Sequence, residues 1–292
     1  MLDIQQLKNA FKTPERDNNG GKISNYYPFW NIKTGEQVNV RFLPDKNPEN
    51  PMGFLVEKLM HTLIINGEKK SIPCLKMYHE DCPICKVSAS YYKAGDKVNG
   101  KKYWRKKQHI AQALIYADPL PPNQETNETH SGQVRYLALG YQLFNIIKEA
   151  FEGGELDEIP YSFKKGTDFL IKKSQQGEYS TYAMGSKFAR KSTDLDDDMI
   201  AYVQEQMIDL STLLPKNPGA EKVQAWLEAS LTGSSVDDTS DTEEHGDEAE
   251  GSVPTVSTPV VQRAVETKGD DDINEEAESI LAQIRSRRAT QK

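Results

Sequence analysis

Residues 61–85 read His61-TLIINGEKKSIP-Cys74-LKMYHED-Cys82-PI-Cys85, and this stretch decides how the middle of the chain folds. It holds all three cysteines of the chain, in the spacing H-x12-C-x7-C-x2-C. Three thiolates and one imidazole fill the tetrahedral shell that zinc takes in structural sites, and they leave no position for a substrate. The stretch therefore predicts one structural zinc ion held by His61, Cys74, Cys82 and Cys85.

The local pattern indicates how these four side chains meet. Two strand-like runs flank Asn66-Gly67, which is a strong indication of a β-hairpin with a two-residue loop. The register of such a hairpin places His61 and Cys74 on one face as diagonal neighbours, about 7–8 Å apart at the backbone. The C-x2-C turn at residues 82–85 would supply the other two ligands.

Three other interpretations of the cysteines stay open. His79 lies three residues before Cys82 and is the alternative fourth ligand. The thiols could also be free and buried, with a C-x2-C spacing that arises by chance. A thioredoxin-like redox motif is disfavoured because no βαβ pattern surrounds the two cysteines.

Length and composition exclude several classes of protein. No run in the 292 residues approaches the eighteen apolar residues of a membrane span, and the N-terminus lacks the pattern of a signal peptide. So few cysteines, all committed to a metal, fit a reducing environment. We therefore expect an intracellular protein with no membrane partner.

Charge is unevenly distributed along the chain. Residues 1–230 carry 30 basic and 29 acidic side chains, whereas residues 231–292 carry 6 and 15. Within the nearly neutral body, residues 86–112 hold eight basic side chains against Asp96 alone. A basic patch on a neutral body, with an acidic tail, is typical of a protein that binds a polyanion.

The pattern of the body predicts a fold that is mainly β with added helices. The expected form is a small antiparallel OB-fold barrel with a zinc-binding subdomain at about residues 55–95, inside a core of residues 25–231. The pattern predicts these further elements: strands at 37–43, 103–116 and 134–139, a second hairpin at 169–174 and 179–188, and helices at 86–93, 141–152, 195–214 (N-cap Thr193 or Asp194) and 220–231.

The two ends of the chain differ from the body. Residues 1–24 form a polar arm with an amphipathic start, which is a candidate for self-association. Residues 232–292 form an acidic tail, and the absence of aromatic residues over 232–272 predicts disorder there. Residues 273–287 predict a short amphipathic helix for docking on a partner, although a fluctuating helix without a role is the alternative. Its apolar stripe consists of Ile273, Ala277, Ile280, Leu281 and Ile284.

Aromatic and basic side chains alternate over residues 91–107. Single-stranded nucleic acid requires this combination, because exposed bases stack on rings and cations follow the phosphates. The candidate contacts are Tyr91, Tyr92, Lys101, Lys102, Tyr103, Trp104, Arg105, Lys106 and Lys107. In the predicted strand, Tyr103, Arg105 and Lys107 would share one face. Tyr179 and Tyr182 are further candidate stacking platforms, and the alternative for any single ring is a place in the core.

Enzyme patterns are incomplete. Residues 95–102 resemble a phosphate-binding loop but end in Lys102 where Ser or Thr is needed, so a basic Asn-Gly turn explains them better. A zinc deaminase would need H-x-E and P-C-x-x-C, which are absent. We therefore expect no enzymatic activity. A zinc-dependent nucleic-acid-modifying enzyme and a single-stranded RNA-binding protein remain the alternatives.

Several short motifs follow one another in a family-specific order over about residues 25–215. They are Val40-Arg41-Phe42-Leu43-Pro44 with Lys46-Asn47, the set His61, Cys74, Cys82-Pro83-x-Cys85, the Arg105-Lys106 strand ending at Asp118-Pro119, Tyr179-x-x-Tyr182 with Ser186-Lys187-Phe188, and residues 205–211. In these the chain resembles the family of single-stranded DNA-binding (helix-destabilising) proteins of T-even-type bacteriophages.

The resemblance implies a barrel core with a zinc subdomain, in which the H-x12-C spacing selects His61 as the ligand. It also implies cooperative, sequence-non-specific binding to single-stranded DNA in phage replication, recombination and repair, in the host cytoplasm. The tail would contact replication and recombination proteins. Two departures are visible. The family's N-terminal arm carries a basic cluster, whereas the first twelve residues here hold only two basic side chains, Lys8 and Lys12, so self-association along DNA would depend on apolar residues such as Leu2 and Phe11. The family's tail ends in acidic residues, whereas this tail ends in a predicted helix with a basic terminus.

Overall fold

A computed structural model describes residues 25–123 and 127–233 of the chain. The predicted N-terminal arm, the acidic tail and the predicted helix at 273–287 lie outside the described residues. Of the described helices, none is long and apolar enough to cross a membrane.

The described chain is mainly β with added helices, as predicted. The strands are β1 Gln37–Phe42, β2 Leu55–Ile65, β3 Glu68–Pro73, β4 Lys106–Ala117, β5 Val134–Leu139, β6 Phe169–Lys172, β7 Ser174–Gln176, β8 Tyr179–Thr181 and β9 Lys187–Phe188. The α-helices are α1 Pro83–Lys93, α2 Lys97–Tyr103, α3 Tyr141–Glu152, α4 Asp197–Gln206 and α5 Ala220–Thr232, and 3-10 turns cover Phe29–Asn31, Leu75–Tyr78 and Leu210–Leu213.

The main sheet is antiparallel and open. Its strand order is β3-β2-β4-β1-β6-β9, with β5 on the other side of β4, and β7 and β8 form a separate ribbon. In the described ranges the end strands β3 and β9 do not pair with each other, so the sheet does not close into the predicted OB-fold barrel. The reason lies in β2, whose first half pairs with β4 while its second half turns away to pair with β3.

The start of β4 also differs from the prediction. The expected strand from residue 103 begins at Lys106, and the preceding Lys97–Tyr103 is helical. The Asp96 side chain caps this helix by accepting from the backbone N–H of Asn99 at 3.0 Å. Position 100 in this helix favours glycine, because the Cβ of any other residue there would lie 2.8 Å from the Tyr92 ring. The shared face predicted for Tyr103, Arg105 and Lys107 therefore does not form.

Helix α4 is shorter than the segment predicted at 195–214. Asp196 caps it, by accepting from the N–H of Met199 at 2.7 Å, and so replaces the predicted caps Thr193 and Asp194. The helix ends at Gln206, and a separate 3-10 turn follows over Leu210–Leu213.

Two large apolar clusters and a small third one, of Leu43, Leu114, Leu195 and Val203, hold the described residues together. The larger of the first two packs β1, β4, β5, β6 and α3 around side chains such as Phe42 and Phe169. The smaller of the first two joins the β2–β3 hairpin and α1 to α5, and it includes Leu63, Ile84 and Trp226. The zinc subdomain predicted at about residues 55–95 thus shares its apolar core with α5, which lies far away in sequence.

Candidate metal centre and nucleic-acid interface

The β2–β3 hairpin forms in the predicted register. Asn66 and Gly67 both have positive φ, at 55° and 83°, as a type I′ turn requires. His61 pairs with Ile72, and the N–H of Cys74 donates to the carbonyl of Leu59 at 2.9 Å. His61 on β2 and Cys74, directly after β3, are therefore neighbours across the hairpin.

The other two cysteines lie at the start of α1. Cys82 is the N-cap residue, Pro83 occupies the first turn and Cys85 follows within it. Proline suits this position because its missing N–H would have no partner in the helix. A helix N-terminus also favours the thiolate form of cysteine, which is the form that binds metals.

The four predicted donors form one compact group. Cys74 Sγ lies 3.5 Å from Cys85 Sγ, and His61 Nε2 lies 3.5 Å from the Sγ atoms of both Cys82 and Cys85. A tetrahedral zinc ion with ordinary bond lengths would separate its ligands by about 3.5–3.8 Å. All four atoms lie within 4.8 Å of one another, so the group fits a zinc ion. His79 is exposed and lies outside the group.

Hydrogen bonds prepare the group for a cation. The Nδ1 atom of His61 lies 3.0 Å from the carbonyl oxygen of Tyr103, which turns Nε2 toward the cysteines. Burial lowers the pKa of His61, but the adjacent Cys82 and Cys85 outweigh this and raise the pKa to about 9. Hydrogen bonds from Cys74 and Cys85 lower the pKa of the Cys82 thiol. These four side chains therefore favour the thiolate form of Cys82 next to a positively charged partner.

The predicted stacking residues divide into core and surface. Tyr103 is 4 % exposed, and its ring stacks on Tyr91 with centroids 5.8 Å apart. These two rings belong to the smaller apolar cluster. Trp104 and Tyr92 are 49 % and 37 % exposed and meet edge to face at 5.8 Å. Of these two pairs, the pair of Trp104 and Tyr92 is the one that offers ring surface to a ligand.

The basic residues surround the exposed pair. Lys101, Lys102, Lys106 and Lys107 are all exposed. Lys107 forms an ion pair with Glu57 at 2.9 Å, and the ammonium of Lys102 lies 5.3 Å from the centroid of the Tyr103 ring. Arg105 is half-buried, and its guanidinium lies 5.0 Å from the centroid of the Trp104 ring.

A cleft of about 220 Å³ opens beside Trp104. It is lined by Trp104, Arg105, Lys107, His109, Tyr141 and Phe144. Tyr141, at the start of α3, is 75 % exposed, so aromatic surface is present on both sides of the cleft.

His109 forms the floor of the cleft. Its ring stacks on Phe144 at 3.4 Å with an angle of 5° between the planes. Its buried Nδ1 atom has no hydrogen-bond partner in the part of the chain that the structure describes. Burial lowers its pKa to about 4, so the imidazole is neutral near pH 7. The floor of the cleft is therefore flat and uncharged.

Sequence reasoning missed His109, Tyr141 and Phe144. The pairing of β4 with β5 explains their position, because His109 lies opposite Leu139 and α3 begins two residues later. An antiparallel pairing of these two strands, if inferred from the sequence, would have placed Tyr141 beside the basic start of β4.

Tyr179 and Tyr182 lie on or next to the β7–β8 ribbon. Tyr179 is half exposed, whereas Tyr182 packs on Phe29, and burial raises its pKa to about 12. The N–H of Tyr182 donates to Gln142 Oε1 at 3.1 Å. Since Gln142 follows Tyr141, the ribbon is attached to the same helix start that lines the cleft.

Comparison with known proteins agrees with this geometry. A family model described as gp32 DNA binding protein like matches residues 33–232, which contain the four predicted metal donors, the cleft and the ribbon. The curated proteins contain no match to the chain.

Proposed function

Because the chain belongs to the family of gp32-like DNA-binding proteins, we propose that it binds single-stranded DNA without sequence preference. The observation that carries the proposal is the cleft between β4 and α3, which is lined by the exposed rings of Trp104 and Tyr141 together with Arg105 and Lys107. Its setting would be phage-type replication, recombination and repair, in the cytoplasm of the host cell.

The chemistry of the cleft suits an unpaired strand. Bases of a single strand expose both ring faces, and each stacked base contributes about 1–3 kcal/mol. Lys101, Lys102, Lys106 and Lys107 would neutralise phosphates along the strand. Tyr179 and Tyr182 would extend the path across the ribbon, whereas the burial of Tyr103 and its stacking on Tyr91 favour a structural role for that pair.

Trp104→Ala should weaken binding of oligodeoxythymidylate by about 1–3 kcal/mol, because a stacking platform is lost. The slope of log Kobs against log salt concentration should stay the same. Lys106→Ala should reduce the magnitude of that slope by about 0.7, because one phosphate contact is lost. Fluorescence anisotropy of a labelled oligonucleotide over a salt series measures both effects.

Val98→Ala is the matched control, since Val98 is an 80 % exposed apolar residue of neighbouring α2 outside the cleft. It should leave affinity and slope unchanged. Equal changes of slope in the Trp104 and Lys106 variants would contradict the stacking role. Competition between DNA and RNA oligomers of the same sequence tests the RNA alternative.

We further propose that His61, Cys74, Cys82 and Cys85 hold one structural zinc ion. Their spacing and partial burial support this, and four protein donors complete the coordination shell of zinc. Such a site has no open position for a reacting group, which argues against the alternative of a zinc-dependent enzyme.

The ends of the chain are proposed to regulate binding. The arm at residues 1–24 would support self-association along DNA through Leu2, Ile4, Leu7 and Phe11, and its removal would make the binding isotherm less steep. The stripe Ile273, Ala277, Ile280, Leu281 and Ile284 would dock on replication and recombination proteins, and Ile280→Asp with Leu281→Asp would abolish their co-purification.

Deletion of residues 234–292 should increase affinity for single-stranded DNA at low salt. The deleted segment contains the excess of acids in the chain, which can compete with DNA for the lysines around the cleft. The gain should fade near physiological salt, where the Debye length falls to about 8 Å. A full-length chain with its tail acids changed to Asn and Gln should behave like the deletion. Unchanged affinity at low salt in both chains would contradict competition by charge.

A further inference from the structure

Arg105 lies between the metal-binding group and the cleft and contacts both. Its Nη1 atom donates to Cys85 Sγ at 3.7 Å, and its guanidinium lies 5.0 Å from the centroid of the Trp104 ring. Among the cleft-lining residues that the structure describes, Arg105 alone has a side chain that hydrogen-bonds to a predicted metal ligand. The charge of Arg105 is therefore directed at a sulfur atom as well as at the cleft.

A second bond ties the same segment to the metal-binding group. The carbonyl of Tyr103 faces Nδ1 of His61 at 3.0 Å. Trp104 thus lies between two residues that contact different predicted ligands. The backbone carbonyl of Tyr103 contacts His61, and the side chain of Arg105 contacts Cys85. Movement of the four donors would be transmitted directly to the Trp104 ring.

The charge of a loaded site explains why an arginine is suited to this position. Three thiolates, a neutral imidazole and one divalent zinc ion sum to one negative charge. Groups that donate to coordinating atoms orient the ligands and strengthen metal binding. A guanidinium can donate to the sulfur and remain over an aromatic face, which a lysine ammonium does less well.

We propose that Arg105 is a positioning residue, which neutralises the zinc–thiolate site and holds the Trp104 ring in place for a base. Arg105 thereby couples the metal site to the position of the Trp104 ring in the cleft. The role of Arg105 in placing the Trp104 ring for a base rests on the proposed binding of single-stranded DNA, whereas its role at the zinc site does not. It also differs from the interpretation of Arg105 as a phosphate contact that the sequence suggests.

The test compares Arg105→Gln with Lys106→Gln in the full, zinc-loaded chain. Arg105→Gln should speed the release of zinc to a chelator about 10–100-fold, and it should weaken oligodeoxythymidylate binding without changing the salt slope. Lys106→Gln should leave zinc release unchanged and reduce the magnitude of the salt slope by about 0.7. Arg105→Lys should fall between wild type and Arg105→Gln in zinc release, which guards against misfolding of the Gln variant.

Linkage gives a second measurement on the unmodified chain. If zinc loading raises DNA affinity by some factor, bound DNA must raise zinc affinity by the same factor. Saturating oligodeoxythymidylate should therefore slow zinc release from wild type, and this effect should shrink in Arg105→Gln.

The outcomes separate the two proposals. If Arg105→Gln reduces the salt slope as Lys106→Gln does and leaves zinc release unchanged, Arg105 is a phosphate contact and the inference is wrong. A chain that binds no zinc would also overturn it. Faster zinc release from Arg105→Gln, with no binding of single-stranded DNA by wild type, would instead refute the proposed function and retain Arg105 as the partner of the zinc site.

Discussion

Cys82→Ser is expected to reduce bound zinc from one ion per chain to nearly none and to unfold the segment around the metal site. Cys82 Sγ lies 3.5 Å from His61 Nε2 at the start of the helix that carries Cys85, so the substitution removes one of the four predicted ligands. Structural zinc sites of this kind contribute about 10–16 kcal/mol in small peptides, and that free energy is folding free energy. The expected loss is the largest of any single change considered.

Metal analysis after anaerobic purification and amide hydrogen exchange would measure this. Protection should fall in the β2–β3 hairpin, in α1 and in α5, which share the smaller apolar cluster. The larger cluster around Phe42 should keep its protection, because it packs separately on the main sheet. His79→Ala is the matched control and should retain zinc. Retention of a full zinc ion by Cys82→Ser, or its loss from His79→Ala, would contradict the ligand assignment.

Arg41→Met is expected to lower the free energy of unfolding by about 3 kcal/mol. Arg41 on β1 is fully buried, and its Nε donates to Asp168 Oδ1 at 2.7 Å. Its Nη1 atom also donates to the carbonyls of Ser162 and Thr193. Removal of one partner of a buried ion pair costs about 3–5 kcal/mol, and the partial exposure of Asp168 favours the lower end.

Urea unfolding of the zinc-loaded chain would show the effect as a lower midpoint with an unchanged m-value. Lys148→Met is the control, because Lys148 and Glu152 form an exposed pair on α3 and such pairs contribute little. Equal midpoints for the two variants would mean that the Arg41 network does not hold β1 to the segments around β6 and β9.

Local chemistry explains which parts of the fold the sequence could predict. The β2–β3 hairpin was predictable because Asn66-Gly67 permits the two positive φ values that a type I′ turn needs. The proximity of His61 and Cys74 followed from that register, and the C-x2-C spacing indicated that Cys82 and Cys85 would lie together. By contrast, Asp96 captures the backbone N–H of Asn99 and starts a helix where a continuous strand was expected. Tyr103 ends this helix in the core, and Trp104 directly after it is exposed.

Long-range pairing explains what the sequence could not predict. The open sheet results from β2 changing partner halfway along its length, and no local motif marks that change. Tyr141 and His109 meet only because β4 and β5 pair in one particular register. Alternation of polar and apolar residues predicts that each strand exists, but it does not specify its neighbour.

The open edge at β3 has a consequence for behaviour at high concentration. A sheet edge can recruit the same edge of another molecule and begin aggregation. In the described residues β3 is an end strand, and its sequence is Glu68-Lys69-Lys70-Ser71-Ile72-Pro73. Three successive charged residues and a final proline, which has no N–H to donate, are devices that discourage such pairing. If the chain coats long single strands as proposed, this sequence of β3 would limit aggregation through the sheet edge at the high concentration that coating requires.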